Sequence, residues 1–362
     1  MSVALSINMP DPHFKVGVLT FHRCINYGSY WQARCLVDGL RGLGYEAELL
    51  EHVSDRVNRA EWRCALQPLL PQRTPQSDYP LYDRKTRRFF EAVADLPTSA
   101  PFPLDDPSRL AADYDVVVIG SDEVWNLNHP WYGGHPLFYG EGLRAGRLVA
   151  YAASFGSQTQ GLEPYWAERL GNFAQISIRD RNSQQIVARA THRMPELVLD
   201  PCLLFPPDVT AEGLGRPYLA VYGHSFPDWF AEAVRSFAWE RGLELISIGY
   251  RNDWADRQWL TAGPLEFASF MAGAEAVATN FFHGCVFALM NNKPFACAPS
   301  DYRFNKVRDL TAMVGASAHL TSSETPPSRF GRLLGEPLDS AIGRSIAALR
   351  RHSRRYLERV LQ

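Results

Sequence analysis

Two rhythms organise the hydrophobic positions of this chain. Short unbroken apolar runs alternate with stretches whose apolar residues recur every three or four positions, the pattern of buried parallel strands covered by helices. "KVGVLTF" (15–21) reads as a buried strand, and after it Gly28 opens a helix with Ala33, Leu36, Val37, Leu40 and Leu43 on one face. Gly44 is placed to end that helix. "EAELLEHV", "DVVVIGSD" (115–122), "RLVAYAASFGS", "QISIRDRNS" and "PELVLDP" continue the strand series. Between them, 54–110 carries Pro-rich pieces and predicts one helix around Arg84–Val93. After a Pro/Gly-rich break at 203–217, "YLAVYG", a helix over 227–241, "LELISIG", a helix over 264–273, "EAVATN", a helix after His283 and "PFACA" repeat the alternation. The fold class is α/β in two domains, 1–205 and 206–337, followed by a C-terminal amphipathic helix over 338–362.

That last helix carries Ile342, Ile346, Leu349, Tyr356 and Val360 on one face. Six arginines (344, 350, 351, 354, 355 and 359) against Asp339 and Glu358 give it a local charge of +4. Its basic side is either a solvated face packed on the body or a peripheral contact with a membrane surface or a partner. Elsewhere charge is unremarkable. The 362 residues are 21% charged with a net charge of −2, which offers no field for nucleic acid. Six cysteines without CxxC or metal-ligand spacing read as free thiols of a reducing compartment. The first residues, "MSVALSINMPDPHFK", lack a basic region before an apolar core, so no secretory signal is expected and the predicted location is cytoplasmic.

Unusual polar residues gather where the predicted strands end, which is where open parallel sheets bind ligands. Asn26-Tyr27-Gly28 follows the first strand, Ser121-Asp122 follows "VVVIG", and Arg179-Asp180 closes "ISI". Tyr222-Gly223-His224 closes "YLAV", and Asn280 to Gly284 closes "EAVAT". His283, within the apolar run "AVATNFFHGCVFALMNN", is either a satisfied core histidine or a ligand-facing one. Its place at a helix start, where free N–H groups favour an anion, supports the second. Asp122 is likewise either a turn carboxylate or a proton acceptor.

"FHRCINYGSYWQARCLVDGLRGLGYEAELLEH", "DVVVIGSDEVWN", "VAYAASFGS", "ISIRDRNS", "VLDPCLL" and "AVATNFFHGCVFALMNNKPF" occur in the order and spacing of the polysaccharide pyruvyl transferase family, which the chain resembles over about 15–310. The resemblance implies two Rossmann-like domains facing across a cleft (GT-B-like) and ketal pyruvyl transfer from phosphoenolpyruvate, a co-substrate, to hydroxyls of a saccharide-like acceptor, with no further cofactor and no metal. It assigns His283 as general acid and turns Asp122 toward the cleft, where the chemistry makes it the catalytic candidate for taking the hydroxyl proton. It gives the donor to Arg179, Asn280, Gly284 and a cation near the end of the resemblance, Lys306 or Arg308. It turns Asn26, Tyr27, Gly28 and Ser121 toward the acceptor. Histidine suits carbon protonation near neutral pH, and arginine suits planar anions.

The chain departs from the family pattern in places. Phe281 stands where Arg or Ser is usual, Glu123 where Gln is common, and Tyr30 and Trp31 put aromatic bulk where small or aliphatic residues are typical, expected beside the cleft. Acceptor specificity is expected in the irregular 54–110 region. Two other readings stay open: a GT-B-type transferase with a nucleotide-sugar donor, and a silent member acting as a binding or scaffold protein. The sequence does not specify an oligomeric state.

Overall fold

The computed structural model describes residues 14–70, 72–211 and 214–362, so the expectation about a leader segment falls outside the described residues. The first half contains strands β1 (Lys15–Leu19), β2 (Glu46–Leu49), β3 (His52–Val53), β4 (Phe102–Pro103), β5 (Tyr114–Ile119), β6 (Ala145–Ala153), β7 (Gln175–Ile178) and β8 (Glu196–Leu197). Helices α1 (Tyr27–Gly42), α2 (Asp55–Leu66), α3 (Tyr79–Ala94), α4 (Pro164–Leu170), α5 (Arg181–Thr191) and α6 (Pro201–Leu204) connect them. Six strands form a parallel sheet in the order β2-β1-β5-β6-β7-β8, while β3 and β4 pair separately. The second half adds β9 (Tyr218–Tyr222), α7 (Asp228–Arg241), β10 (Glu244–Ile248), β11 (Arg257–Trp259), α8 (Pro264–Gly273), β12 (Ala276–Thr279), α9 (Phe282–Met290), β13 (Phe295–Cys297), α10 (Asp301–Val314), α11 (Pro327–Gly335) and α12 (Ser340–Leu361). Its sheet, β11-β10-β9-β12-β13, is also parallel. These are two Rossmann-like domains.

Local chemistry explains the element that matters most. Asn26 caps α1, its Oδ1 accepting from the amides of Gly28 (2.8 Å) and Ser29 (3.2 Å), and Gly44 at φ 95° lets the chain turn out of it. Helix α2 was not anticipated because only Val57 and Glu61 are buried on it, which leaves no apolar stripe to read.

The halves share apolar contacts. One cluster runs from Val16 and Val116 of the first sheet to Phe267 and Val286 of the second domain. Tyr27 Oη donates to the Ala262 carbonyl (2.7 Å), and Trp31 Nε1 to that of Pro264 (2.9 Å). Trp31 is therefore an interdomain packing residue, while Tyr30 is fully buried within the first domain, its hydroxyl bonded to Arg34 (2.9 Å), and neither is bulk beside the cleft. Helix α12 returns to the first domain, where Tyr356 bonds the Ala150 carbonyl (3.1 Å) and Ser353 accepts from the Leu199 amide (2.9 Å). Arg350 donates to the Leu203 carbonyl (2.9 Å) and Arg354 lies over the Phe205 ring, so part of the basic face is engaged by the body. All six cysteines are free thiols, five of them buried. No helix among the described residues is long and apolar enough to cross a membrane.

Candidate active site

In a doubly wound sheet the ligand crevice opens where the strand order reverses, because there the two following connections leave in opposite directions. In the first sheet that point lies between β1 and β5, and in the second between β9 and β12. Both face one cleft of about 360 Å³, lined by Asn26 and Asp122 from the first domain and by His224, Phe281 and His283 from the second. Helix α9 begins there with no side-chain cap on its first amides.

A buried ion network crosses the cleft floor. Arg179, at the end of β7, donates Nη2 to Asp122 Oδ1 (3.0 Å), and Nη1 to Asp200 Oδ2 (2.9 Å) and Ser121 Oγ (3.2 Å). Ser29 donates to the other oxygen of Asp122 (2.8 Å). His283 Nε2 faces Asp200 Oδ2 at 3.7 Å and is buried without a hydrogen-bond partner. Burial would raise both carboxyls, but charge and hydrogen bonds win: Arg179 and His283 hold Asp122 below its usual range, and His283 and Arg179 hold Asp200 well below it. Arg179 is shifted the other way, because the two carboxylates outweigh its desolvation. The opposite face of the imidazole rests on Gly28, where a Cβ would lie 1.9 Å from Nδ1. Glycine is the residue that lets α1 approach this closely.

The other predicted residues divide. Lys306 reaches the cleft paired with Glu123, and Asn26 lines the cleft as the cap of α1. Arg308 turns outward onto Asp309 (2.9 Å) and does not line the cleft. Ser121 is fully buried, donating to the Ala152 carbonyl (3.0 Å) while it supports Arg179. Tyr27 is fully buried against Phe267, so it joins the domains instead of facing an acceptor. Asn280 Nδ2 donates to the His224 carbonyl (2.7 Å), leaving its Oδ1 buried and unpartnered. Gly284 serves packing, since a Cβ there would meet Thr279. Asp122 accepts from Ser29, Arg179 and the Glu123 amide, and such a carboxylate is a poor proton acceptor.

Other cleft residues escaped the sequence reading. Arg303, one turn before Lys306 on α10, stacks its guanidinium 4.3 Å from the centre of the Phe281 ring. A cation thus arrives at position 281 from another element. The run "YRFNKVRDL" held three candidates, and only helical phase chooses Arg303 and Lys306 over Arg308. Helices α2 and α3 contribute Glu61, Cys64 and Lys85. Glu61 accepts from Trp131 Nε1 (2.7 Å), and burial raises its pKa. The cleft is thus lined from the irregular region in which acceptor specificity was expected.

Asp200, Cys202 and His283 offer three ligand atoms within 4.8 Å of one another. Arg179 already supplies the cation for that carboxylate, and burial pushes the Cys202 thiol well up, so this donor set suits an ion pair better than a metal.

Fold and cleft together define a two-domain parallel α/β protein with an interdomain site built around a histidine and paired charges. The sequence model of the polysaccharide pyruvyl transferase family matches residues 26–302, about three quarters of the chain, and the protein belongs to that family of transferases. Among curated proteins no sequence match is found. Solved structures with a similar fold include the UDP-GlcNAc 2-epimerase from Neisseria meningitidis bound to UDP-GlcNAc (9% identity, 92% of this chain and 98% of that one, TM-score 0.47). The glycosyltransferase SnogD from Streptomyces nogalater is another (14%, 94% and 95%, TM-score 0.43). A third is AviGT4, a glycosyltransferase involved in avilamycin A biosynthesis (15%, 96% and 98%, TM-score 0.45).

Proposed function

We propose that this protein transfers pyruvate as a ketal from phosphoenolpyruvate to two hydroxyls of a saccharide-like acceptor. The observation that carries the reading is His283. Its imidazole stands at the uncapped start of α9, wedged between the buried Asp200 carboxylate and Gly28, at the wall of a cation-lined cleft. Asp200 faces Nε2 of the ring at 3.7 Å and orients it, and histidine is the side chain suited to protonating carbon near neutral pH.

His283 gives a proton to the methylene carbon of the donor, making a methyl group and an oxocarbenium at the neighbouring carbon. The first acceptor hydroxyl bonds to that carbon and releases its proton, which restores His283. The second hydroxyl displaces phosphate, which leaves with the remaining proton. Arg303 and the open amides of α9 favour the donor's negative charge. Arg179 acts in this scheme by holding Asp122 and Asp200 in place. A phosphoenolpyruvate donor and free thiols fit a reducing, cytoplasmic setting.

Titrating the purified protein with phosphoenolpyruvate and with a panel of nucleotide sugars tests the donor. Binding of phosphoenolpyruvate, weakened by salt, supports the reading. Binding of a nucleotide sugar alone selects a different transferase, and binding of neither selects a silent scaffold.

A further inference from the structure

Lys85 has no role in the scheme above, and its surroundings are unusual for a lysine. It lies on α3 with 4% of its surface exposed, and its Nζ crosses to the second domain to donate to the Gly249 carbonyl (2.9 Å). The ammonium is 4.6 Å from the centre of the Tyr250 ring and 4.9 Å from that of Tyr27, with Tyr82 and Phe89 farther out. Among the described residues no carboxylate pairs with it. Lysine is almost never buried without a partner, because a desolvated ammonium is costly. Burial lowers its pKa to about 7.

Its neighbours do not supply the missing charge. Asp78, beyond Tyr82, is matched by Arg251 (2.7 Å), and Glu61 of α2 is held by Trp131 and the Ile25 amide. Glu266 of α8 pairs with Arg88 (2.7 Å). At the end of β9, Tyr222 is raised by burial, and just past it His224 is lowered to about 4 by burial, Arg303 and Lys85. Tyr27, Tyr82 and Tyr250 are all raised by burial and face the ammonium as neutral rings.

The cleft's four long cations therefore fall into two pairs. Arg179 and Lys306 are neutralised by Asp122, Asp200 and Glu123. Lys85 and Arg303 have no carboxylate partner among the described residues, and they flank the edge-to-face pair Tyr250–Phe281, whose centroids are 5.2 Å apart. The donor proposed above carries two anionic groups, a carboxylate and a phosphate, on one carbon.

We propose that Lys85 is a donor-positioning residue: it and Arg303 receive the two anionic groups of the enol phosphate from opposite ends of the Tyr250–Phe281 pair. This rests on the phosphoenolpyruvate reading. A largely neutral amine that meets an anion becomes an ammonium, so donor binding above neutrality takes up a proton.

Calorimetric titration with phosphoenolpyruvate at pH 8, where a phosphate monoester with a second pKa of about 6 is already ionised, reads this directly. Repeating it in buffers of different ionisation enthalpy gives the protons bound per ligand. The wild type should take up roughly 0.9 proton, the deprotonated fraction of an amine of pKa about 7. Lys85→Met should abolish the uptake and weaken binding by about 10–100-fold. Lys85→Arg, always charged, should bind without uptake. Unchanged affinity and uptake in Lys85→Met would overturn the role of Lys85 and leave the donor reading standing. No binding of phosphoenolpyruvate by the wild type would overturn both.

Discussion

Gly28→Ala tests the geometry with a single methyl group. The new Cβ would sit 1.9 Å from Nδ1, 2.4 Å from Cγ and 2.5 Å from Cε1 of His283. Ordinary contact begins at 3.4 Å, so the ring must retreat by about 1.5 Å. The imidazole has little room to yield, because its far side faces Asp200 and α9 is packed along its length. Misplacing a reacting group by about 1 Å costs on the order of 10²-fold in rate, so kcat should fall by about 10²–10³. Stability should change far less. Overpacking costs roughly 1–3 kcal/mol, and alanine in a helix recovers about 0.5–1 kcal/mol relative to glycine. Gly42→Ala, in the last turn of the same helix with nothing within 4 Å of the added atom, is the matched control and should leave kcat unchanged. The assay is phosphate release from phosphoenolpyruvate with acceptor, beside thermal unfolding of each variant. A Gly28→Ala enzyme that is folded and within about threefold of wild-type kcat would refute the placement of His283 as the reacting group.

Further outcomes follow from the same contacts. Arg179→Lys should destabilise the fold by about 3 kcal/mol, seen as a lowered denaturant midpoint, because one ammonium cannot satisfy both Asp122 and Asp200. Arg303→Ala should raise the donor KM by about 10–100-fold, whereas Arg308→Ala, facing Asp309, should leave it unchanged in initial-rate kinetics. For Lys85 the folded pKa lies below the unfolded value, so the unfolded chain binds more protons between about pH 7 and 10 and stability rises with pH across that window. Lys85→Met should flatten that rise and stabilise the protein at pH 7 by about 1–3 kcal/mol in denaturant titrations. Asp122 and Asp200, held below their unfolded values, contribute stability above about pH 4 that is lost as pH falls further, measurable as an acid-unfolding step that Asp200→Asn shifts.

What the sequence disclosed and what it hid divide along physical lines. β9 is buried along its whole length and β5 from Val116 onward, because both faces are covered, so their apolar runs are easy to see. The strand-end residues were legible for the same reason: polar residues replace those runs where the cleft opens. Direction was not legible. Tyr27 and Asn26 are adjacent, yet the cap turns one toward the cleft and the helix buries the other between domains. Arg303 and Arg308 differ only in helical phase. Glu61 lies on α2, which has no apolar stripe to read, and Lys85 lies on the buried face of a helix that was legible, where a charged residue reads as exposed.

Carbon protonation of phosphoenolpyruvate followed by ketal formation leaves an isotopic mark in the product. The protein is incubated with phosphoenolpyruvate and a saccharide acceptor in D₂O, and the product methyl group is read by NMR and mass spectrometry. One deuterium is expected in the ketal methyl, with one phosphate released per ketal, and neither with His283→Ala. A product that keeps its methylene carbon without deuterium, or consumption of a nucleotide sugar with no phosphate released from phosphoenolpyruvate, would contradict that mechanism.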